Sequence, residues 1–172
     1  MSEHPQEYVV LGILIKKARH GYEIHHHFSS ELGRFWHTGI SQVYALLKRL
    51  EAAEKVVSTV ETQDNRPAKH IYSITPKGHD AFLQWVHAPL ERIRDLRLEF
   101  IAKLFFMRDL KISGIDELIR GQNHIFQEQL QNIKQKDQTC DDEFEHLVFQ
   151  FRIAQIEAAI SWLRDCKQNF DH

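Results

Sequence analysis

Gly39-Ile-Ser-Gln-Val-Tyr-Ala-Leu-Leu-Lys-Arg-Leu-Glu-Ala52 decides the fold, read together with Lys55-Val-Val-Ser-Thr-Val-Glu-Thr-Gln63 and Ile71-Tyr-Ser-Ile-Thr75 behind it. In the first segment Val43, Leu46, Leu47 and Leu50 recur at i, i+3, i+4 and i+7, the spacing of one apolar helix face. The opposite face carries Ser41, Ala45 and Lys48, flanked by Gln42, Tyr44 and Arg49. Short polar groups, an amide, a phenol and two cations, with little acid between them, suit phosphates and base edges. The two β-branched runs enclose Asp64-Asn-Arg-Pro-Ala-Lys-His70, a turn-rich segment. They predict a hairpin with Arg66 and Lys69 at its tip. A helix for a groove and a basic hairpin for the flanking backbone predict a winged helix-turn-helix. The partner this pattern points to is double-stranded DNA.

Around that unit the chain reads as mainly α. Pro5 and the run Tyr8, Val9, Leu11, Ile13 and Leu14 predict a first helix over residues 5–17. A second helix is expected from Tyr22 to Leu32, with Tyr22, Ile24, Phe28 and Leu32 as its apolar contributors and Gly33 ending it. Thr75-Pro76 suits an N-cap and first turn, opening a helix through Phe82 and Trp85. Pro89 interrupts, so the boundary is placed there, giving an N-terminal winged helix-turn-helix over 1–88 and a C-terminal helical dimerisation domain over 89–172. The latter is expected as three helices: 92–108, 115–136, and 140–170 with Asp141, Asp142 and Glu143 at its start. Ile115, Leu118, Ile119, Ile125, Phe126, Leu130 and Ile133 form one apolar stripe. Phe144, Leu147, Val148, Phe151, Ala154, Ala158 and Trp162 form another. Three helices are too few to bury all these faces within one chain, which predicts a homodimer.

Charge narrows the mode of binding. The chain has 172 residues and a formal net charge of −2. Residues 1–80 hold 10 Lys and Arg against 9 Asp and Glu, whereas residues 81–172 hold 12 against 15. Binding to DNA must therefore rest on local placement of cations rather than on an overall basic field. An apolar fraction of 42% supports a real core, and no apolar run reaches the ~18 residues of a membrane span. Cys140 and Cys166 lie far apart without CxxC spacing, which fits two ordinary thiols in the cytoplasm.

Two further groups invite a site. His25-His26-His27, with His20 and His37 nearby, suggests a metal, but consecutive helical residues point ~100° apart and cannot converge on one ion. No metal or other cofactor is expected. The Phe35-Trp36 pair reads as a core plug or as a pocket lining, and Trp36, Trp85 and Phe100 are the candidates for binding a small aromatic ligand.

The order of elements resembles the PadR family of transcriptional regulators. The resemblance rests on His20-Gly-Tyr-Glu-Ile24, Ser41-Gln-Val-Tyr-Ala-Leu-Leu-Lys-Arg-Leu-Glu51 and His70-Ile-Tyr-Ser-Ile-Thr-Pro-Lys-Gly78. Phe28-Ser-Ser-Glu-Leu-Gly-Arg-Phe-Trp36, Arg97-Leu-Glu-Phe-Ile-Ala-Lys-Leu104 and Ser161-Trp-Leu163 are similar to its virulence-activator branch. The resemblance implies a homodimer held by the C-terminal helices, with two winged helices reading a palindromic operator. It also implies either release by a small aromatic effector or cooperation with a partner regulator. The wing segment is only modestly basic for such a role. The competing reading is a winged-helix protein-interaction module that does not read DNA directly. Catalysis is not expected, since no HExxH, P-loop, GxSxG or GxGxxG pattern occurs.

Overall fold

The computed structural model describes residues 4–33, 36–63 and 66–170, and within the hairpin only the backbone of 62, 63 and 66–68. The expected element order is present. Helix α1, Pro5–Ile15, has Pro at its start and buries Val9, Val10, Leu11, Gly12, Ile13 and Leu14 in succession. A helix buried on every side has no solvent face to alternate with, so α1 is a central post. A two-residue strand β1, Arg19–His20, leads into α2, Gly21–His27, which widens into a π-helical turn over Phe28–Leu32. Helix α3, Ile40–Ala52, follows. Strands β2, Val56–Gln63, and β3, Arg66–Ile74, pair antiparallel, and β1 adds to the far side of β3.

Two expectations are corrected here. The second hairpin strand is longer than its β-branched run suggests, so Lys69 sits not at a tip but within β3, level with Glu61. Arg66 opens β3, opposite Gln63, and its side chain lies outside the described residues, as does the Asp64-Asn65 connection. Tyr22 is no part of the core, being 64% exposed. Its position two residues before Ile24 places it ~200° around the helix from the Ile24, Phe28 and Leu32 row, all three of which are buried.

Two compact units divide the chain. One comprises residues up to Val86 together with Ala102–Lys111, and the other comprises His87–Ile101 with Ile112 onward. The first unit holds α1–α3, the sheet, α4 (Pro76–His87, but for its last residue) and most of α5 (Ile101–Asp109). Thr75 caps α4 as expected, its hydroxyl accepting the Gly78 N–H at 3.0 Å and donating to the Glu54 carbonyl at 2.8 Å. The expected division at 88/89 places residues 102–111 with the C-terminal helices, whereas they cluster with the winged helix. Packing explains it: Phe106 lies edge-on to Phe82 and so close to Gly12 that a Cβ there would meet its ring at 2.6 Å. A Lys16–Asp109 ion pair at 2.8 Å closes the same contact.

The second unit is built on α6, Ile115–Gln138, and α7, Glu143–Phe170. Instead of one helix over 92–108, a 3-10 turn at Ile93–Asp95 and a π-helical turn at Leu96–Phe100 precede α5. Gln122, fully buried on α6, donates its amide to the Leu90 carbonyl at 2.7 Å and accepts the Leu90 N–H at 2.6 Å. Both ends of one side chain thus satisfy a segment that has no strand neighbour. Leu118, Ile119, Phe126 and Ile133 of α6 are buried within the unit, as are Ile153, Ile156, Ala159, Ile160 and Leu163 of α7. The first of the two expected stripes is therefore largely internal core. On α7, Phe144, Leu147 and Phe151 are 75%, 63% and 64% exposed and Val148 is 39% exposed, and Ala154 and Ala158 are exposed as well.

Candidate nucleic-acid interface

The interface is set by the two faces of α3. Val43, Leu46, Leu47 and Leu50 are fully buried, and Ser41, Gln42, Tyr44, Ala45, Lys48 and Arg49 are all exposed. The 3.6-residue period thus places the expected contact residues in one continuous row. Gly39 precedes the helix in extended backbone, leaving the first-turn N–H groups of α3 without a side-chain cap. The Gln42 and Val43 N–H groups donate to the Gly39 carbonyl at 3.0 and 3.1 Å.

Their neighbours differ, and so do their roles. Gln42 donates from Nε2 to Gln6 Oε1 at 2.6 Å, and Arg49 Nε pairs with Glu7 Oε1 at 2.8 Å. Both contacts tie α3 to the start of α1. Lys48 has no carboxylate partner among the described residues, so its charge is available in full. Tyr44, 46% exposed, lays its ring where a Gly21 Cβ would stand, with Cε1 at 2.6 Å from that position. The glycine of the His20-Gly-Tyr segment is therefore a seat for the Tyr44 ring, which crosses from α3 to the start of α2. Beneath lies Tyr72 of β3, whose phenol is pushed up by burial and by Glu51 and Tyr44, and so stays neutral.

The wing stands beside this row. Lys69 and Glu61 face each other across β2 and β3, both exposed, so the wing's charge is partly balanced by its own strand. His20 joins the base of the wing to α2: its Nδ1 lies 3.2 Å from the His70 carbonyl and its Nε2 3.7 Å from Glu61. Glu23 accepts the His20 N–H at 2.8 Å, which holds its carboxyl below the usual range and caps α2. Sequence reading missed Gln6 and Glu7 as partners of α3, and Tyr22 as an exposed phenol on the first helix of the helix-turn-helix. Only the offset of Tyr22 from its helix's apolar row gave a signal.

A winged helix with this row of side chains has known relatives. The model of the transcriptional regulator PadR-like family matches residues 10–84, and that of the virulence activator alpha C-terminal region matches residues 96–171. The chain carries a PadR-like family domain followed by a virulence activator alpha C-terminal domain. Its PadR-like part covers α2, α3 and the wing whole, and its virulence-activator part covers α5 to α7. The negative transcriptional regulator PadR of Bacillus subtilis (strain 168) is 31% identical over 119 residues, which are 67% of this chain and 64% of that protein. The match thus spans slightly under two thirds of that relative's length. Among solved structures, Bacillus subtilis PadR in complex with operator DNA is 24% identical, covering 94% of this chain and 96% of that one, with a TM-score of 0.47. The protein smu.1604c from Streptococcus mutans UA159 is 25% identical, covering 92% and 96%, with a TM-score of 0.48.

The remaining candidates within this PadR-like chain separate. Trp36 packs edge-on to Phe28, Trp85 stacks on Tyr8 at 5.3 Å and lies beside Phe82, and Phe100 meets Trp162. The three rings thus belong to three different aromatic contacts, and all three are buried. Lys103, itself buried, stands over the Trp85 ring at 5.2 Å. Trp36 also borders an open cavity of about 410 Å³ shared with Ser29, Gly33, His37, Thr38 and Gly39. Phe35 lies outside the described residues. The histidine run has diverging neighbours: His25 reaches the Thr38 carbonyl at 3.1 Å, His27 reaches Glu31 at 2.8 Å, and His26 is exposed.

Proposed function

We propose that the chain is a DNA-binding transcriptional regulator that works as a homodimer on a palindromic operator. The observation carrying this reading is the exposed row Ser41, Gln42, Tyr44, Ala45, Lys48 and Arg49, opposite a fully buried row and beside an antiparallel wing. A helix of ~10–12 Å diameter fits a major groove of about 12 Å. In that groove Ser41, Gln42 and Ala45 meet base edges, while Lys48, Arg49 and the Tyr44 hydroxyl meet phosphates. Arg66 and Lys69 contact the flanking backbone. Arg49 and Gln42 exchange Glu7 and Gln6 for DNA, an affordable trade because exposed ion pairs are worth only ~0–1 kcal/mol.

The dimer is supported by the uncovered face of α7. Fully burying a large apolar side chain stabilises by about 1.5–3 kcal/mol. At the observed exposures Phe144, Leu147, Val148 and Phe151 contribute about 1–2 kcal/mol each, or roughly 8–16 kcal/mol over two copies. Association costs about 4–15 kcal/mol in lost freedom, so a stable dimer adds further contacts to this stripe. The unit containing α6 and α7 is the dimerisation part, and the unit containing the wing is the DNA-binding part, working in the cytoplasm. A small aromatic effector or a partner regulator completes the reading, and the cavity beside Trp36 supports the former.

Titrating salt against binding to a random-sequence duplex tests the core of this reading. A protein that neutralises phosphates shows a steep log–log slope, and Lys48→Ala flattens it by about one ion. Salt-independent binding, or none, overturns the reading in favour of a protein-interaction module.

A further inference from the structure

The C-terminal unit is acidic overall, yet four cations line one groove in it. Arg92 and Arg94 of the segment before α5, Lys136 of α6 and Arg152 of α7 border a cavity of about 670 Å³ with a floor of Ile93, Ile133 and Ile156. Glu91 is the lone carboxylate in that lining. Arg94 lies 3.7 Å from Asp95, while Arg92, Lys136 and Arg152 have no carboxylate partner among the described residues. Two other cations of the unit are matched, Lys134 with Glu157 at 2.6 Å and Arg120 with Glu117 at 2.9 Å, but the groove is where four cations border one cavity with a single carboxylate. Converging unmatched cations repel one another, so the groove lacks a counter-charge.

The missing charge is present on the same helix. Asp141, Asp142, Glu143 and Glu145 are exposed at the start of α7, next to the apolar quartet Phe144, Leu147, Val148 and Phe151. A self-complementary contact pairs a patch with itself about a two-fold axis. An antiparallel pairing that buries this quartet most evenly puts the axis between Leu147 and Val148, so that Phe144 lies level with the partner's Phe151. The same register sets Arg152 level with the partner's Glu143. Glu145 of the partner then lies about 3 Å away along the helix. Glu145 precedes Arg152 by seven residues, two helical turns, so both lie on the same flank of the stripe, and a two-fold axis preserves that flank. Apolar and charged contacts follow from one register.

Resting on the homodimer reading above, we infer that the groove of Arg92, Arg94, Lys136 and Arg152 receives the acidic start of α7 from a second copy of this chain. It is a charged latch that fixes the antiparallel register of the dimer. Charges at such a rim select register and suppress wrong pairings more than they add affinity.

The test is a charge swap in the full chain, read by sedimentation equilibrium at low salt, with circular dichroism to confirm folding. Arg152→Glu and Glu145→Arg each raise the dimer Kd by about tenfold, and the double variant returns it to within about threefold of the parent. A double variant as weak as its singles, or singles indistinguishable from the parent, overturns the latch. A parent chain that is monomeric at micromolar concentration overturns the dimer reading as well. If Phe144→Asp abolishes a dimer on which the charge variants have no effect, the latch alone falls. Inorganic pyrophosphate provides the control for a small-anion site. If it raises the thermal midpoint of the parent but not of Arg152→Glu, and the swap fails to rescue, the groove belongs to a small ligand and the inference is wrong.

Discussion

Replacing Gly21 by Ala tests how α2 and α3 are joined at the proposed interface. A Cβ at this position would stand 2.6, 2.8 and 3.0 Å from Cε1, Cζ and Oη of Tyr44, the three nearest atoms all belonging to that ring. Ordinary carbon contacts lie at about 3.5–4.0 Å, so the ring must retreat by about 1 Å. Tyr44 is 46% exposed and has room to swing toward solvent. The cost is the ring's packing, about 1–2 kcal/mol. Alanine recovers up to about 0.5–1 kcal/mol of helix preference over glycine, leaving a net loss of about 0–1.5 kcal/mol. In a Tyr44→Ala background the clash is gone, and Gly21→Ala becomes neutral or stabilising by up to about 1 kcal/mol. Urea unfolding of the four proteins gives the coupling, expected at about 1–2 kcal/mol. DNA affinity of Gly21→Ala matches that of Tyr44→Ala, because both remove the seated ring. If Gly21→Ala destabilises equally with and without Tyr44, the ring does not rest on that glycine and the reasoning is refuted.

Three other outcomes are expected. Gln42→Ala narrows the affinity gap between operator and random DNA while Lys48→Ala weakens both alike, since phosphate contacts carry no sequence information; an unchanged gap removes Gln42 from base reading. Glu23 has its carboxyl held below the ordinary value by the His20 N–H, so its charge stabilises the fold above the unfolded-state pKa, and this is lost as pH falls through the folded one. Glu23→Gln is therefore less stable than the parent at pH 7, with the difference closing below about pH 4 in thermal melts; a difference constant down to pH 3 contradicts the cap. Burial and Asp165 push the Cys166 thiol up to about 11, so about one molecule in a thousand carries its thiolate at pH 8. Ellman's reagent leaves this buried thiol unmodified until urea unfolds the chain, and rapid native labelling at Cys166 would show that α7 opens there.

Legibility in the sequence followed the range of the forces involved. The buried row of α3 was readable because a 3.6 period repeats over thirteen residues, and all four apolar members are fully buried. The wing was recognised but drawn short, because Pro67 and Ala68 carry turn or weak strand signals and yet lie within β3. Strand β1 has two residues and leaves no periodic trace. The association of 102–111 with the winged helix depends on Phe106 meeting Gly12, a contact that neither residue announces locally. On α7 two apolar rows share one helix. Periodicity picked out Phe144, Leu147, Val148 and Phe151, the uncovered row, and overlooked Ile153, Ile156, Ile160 and Leu163, the row that packs inside the unit. In the candidate site, sequence named the exposed residues of α3, while the links to Gln6, Glu7 and Gly21 came from tertiary packing.

Selection of bound sequences from a randomised duplex library, using the full chain near physiological salt, bears most directly on the central claim. Two α3 helices related by a dimer axis enrich an inverted repeat with half-sites about one helical turn apart, or a multiple of it. The same selection with Gln42→Ala gives a weaker motif at the positions α3 reads. Recovered duplexes with no common sequence, or a single half-site without its inverted copy, would contradict a dimer that reads DNA through α3.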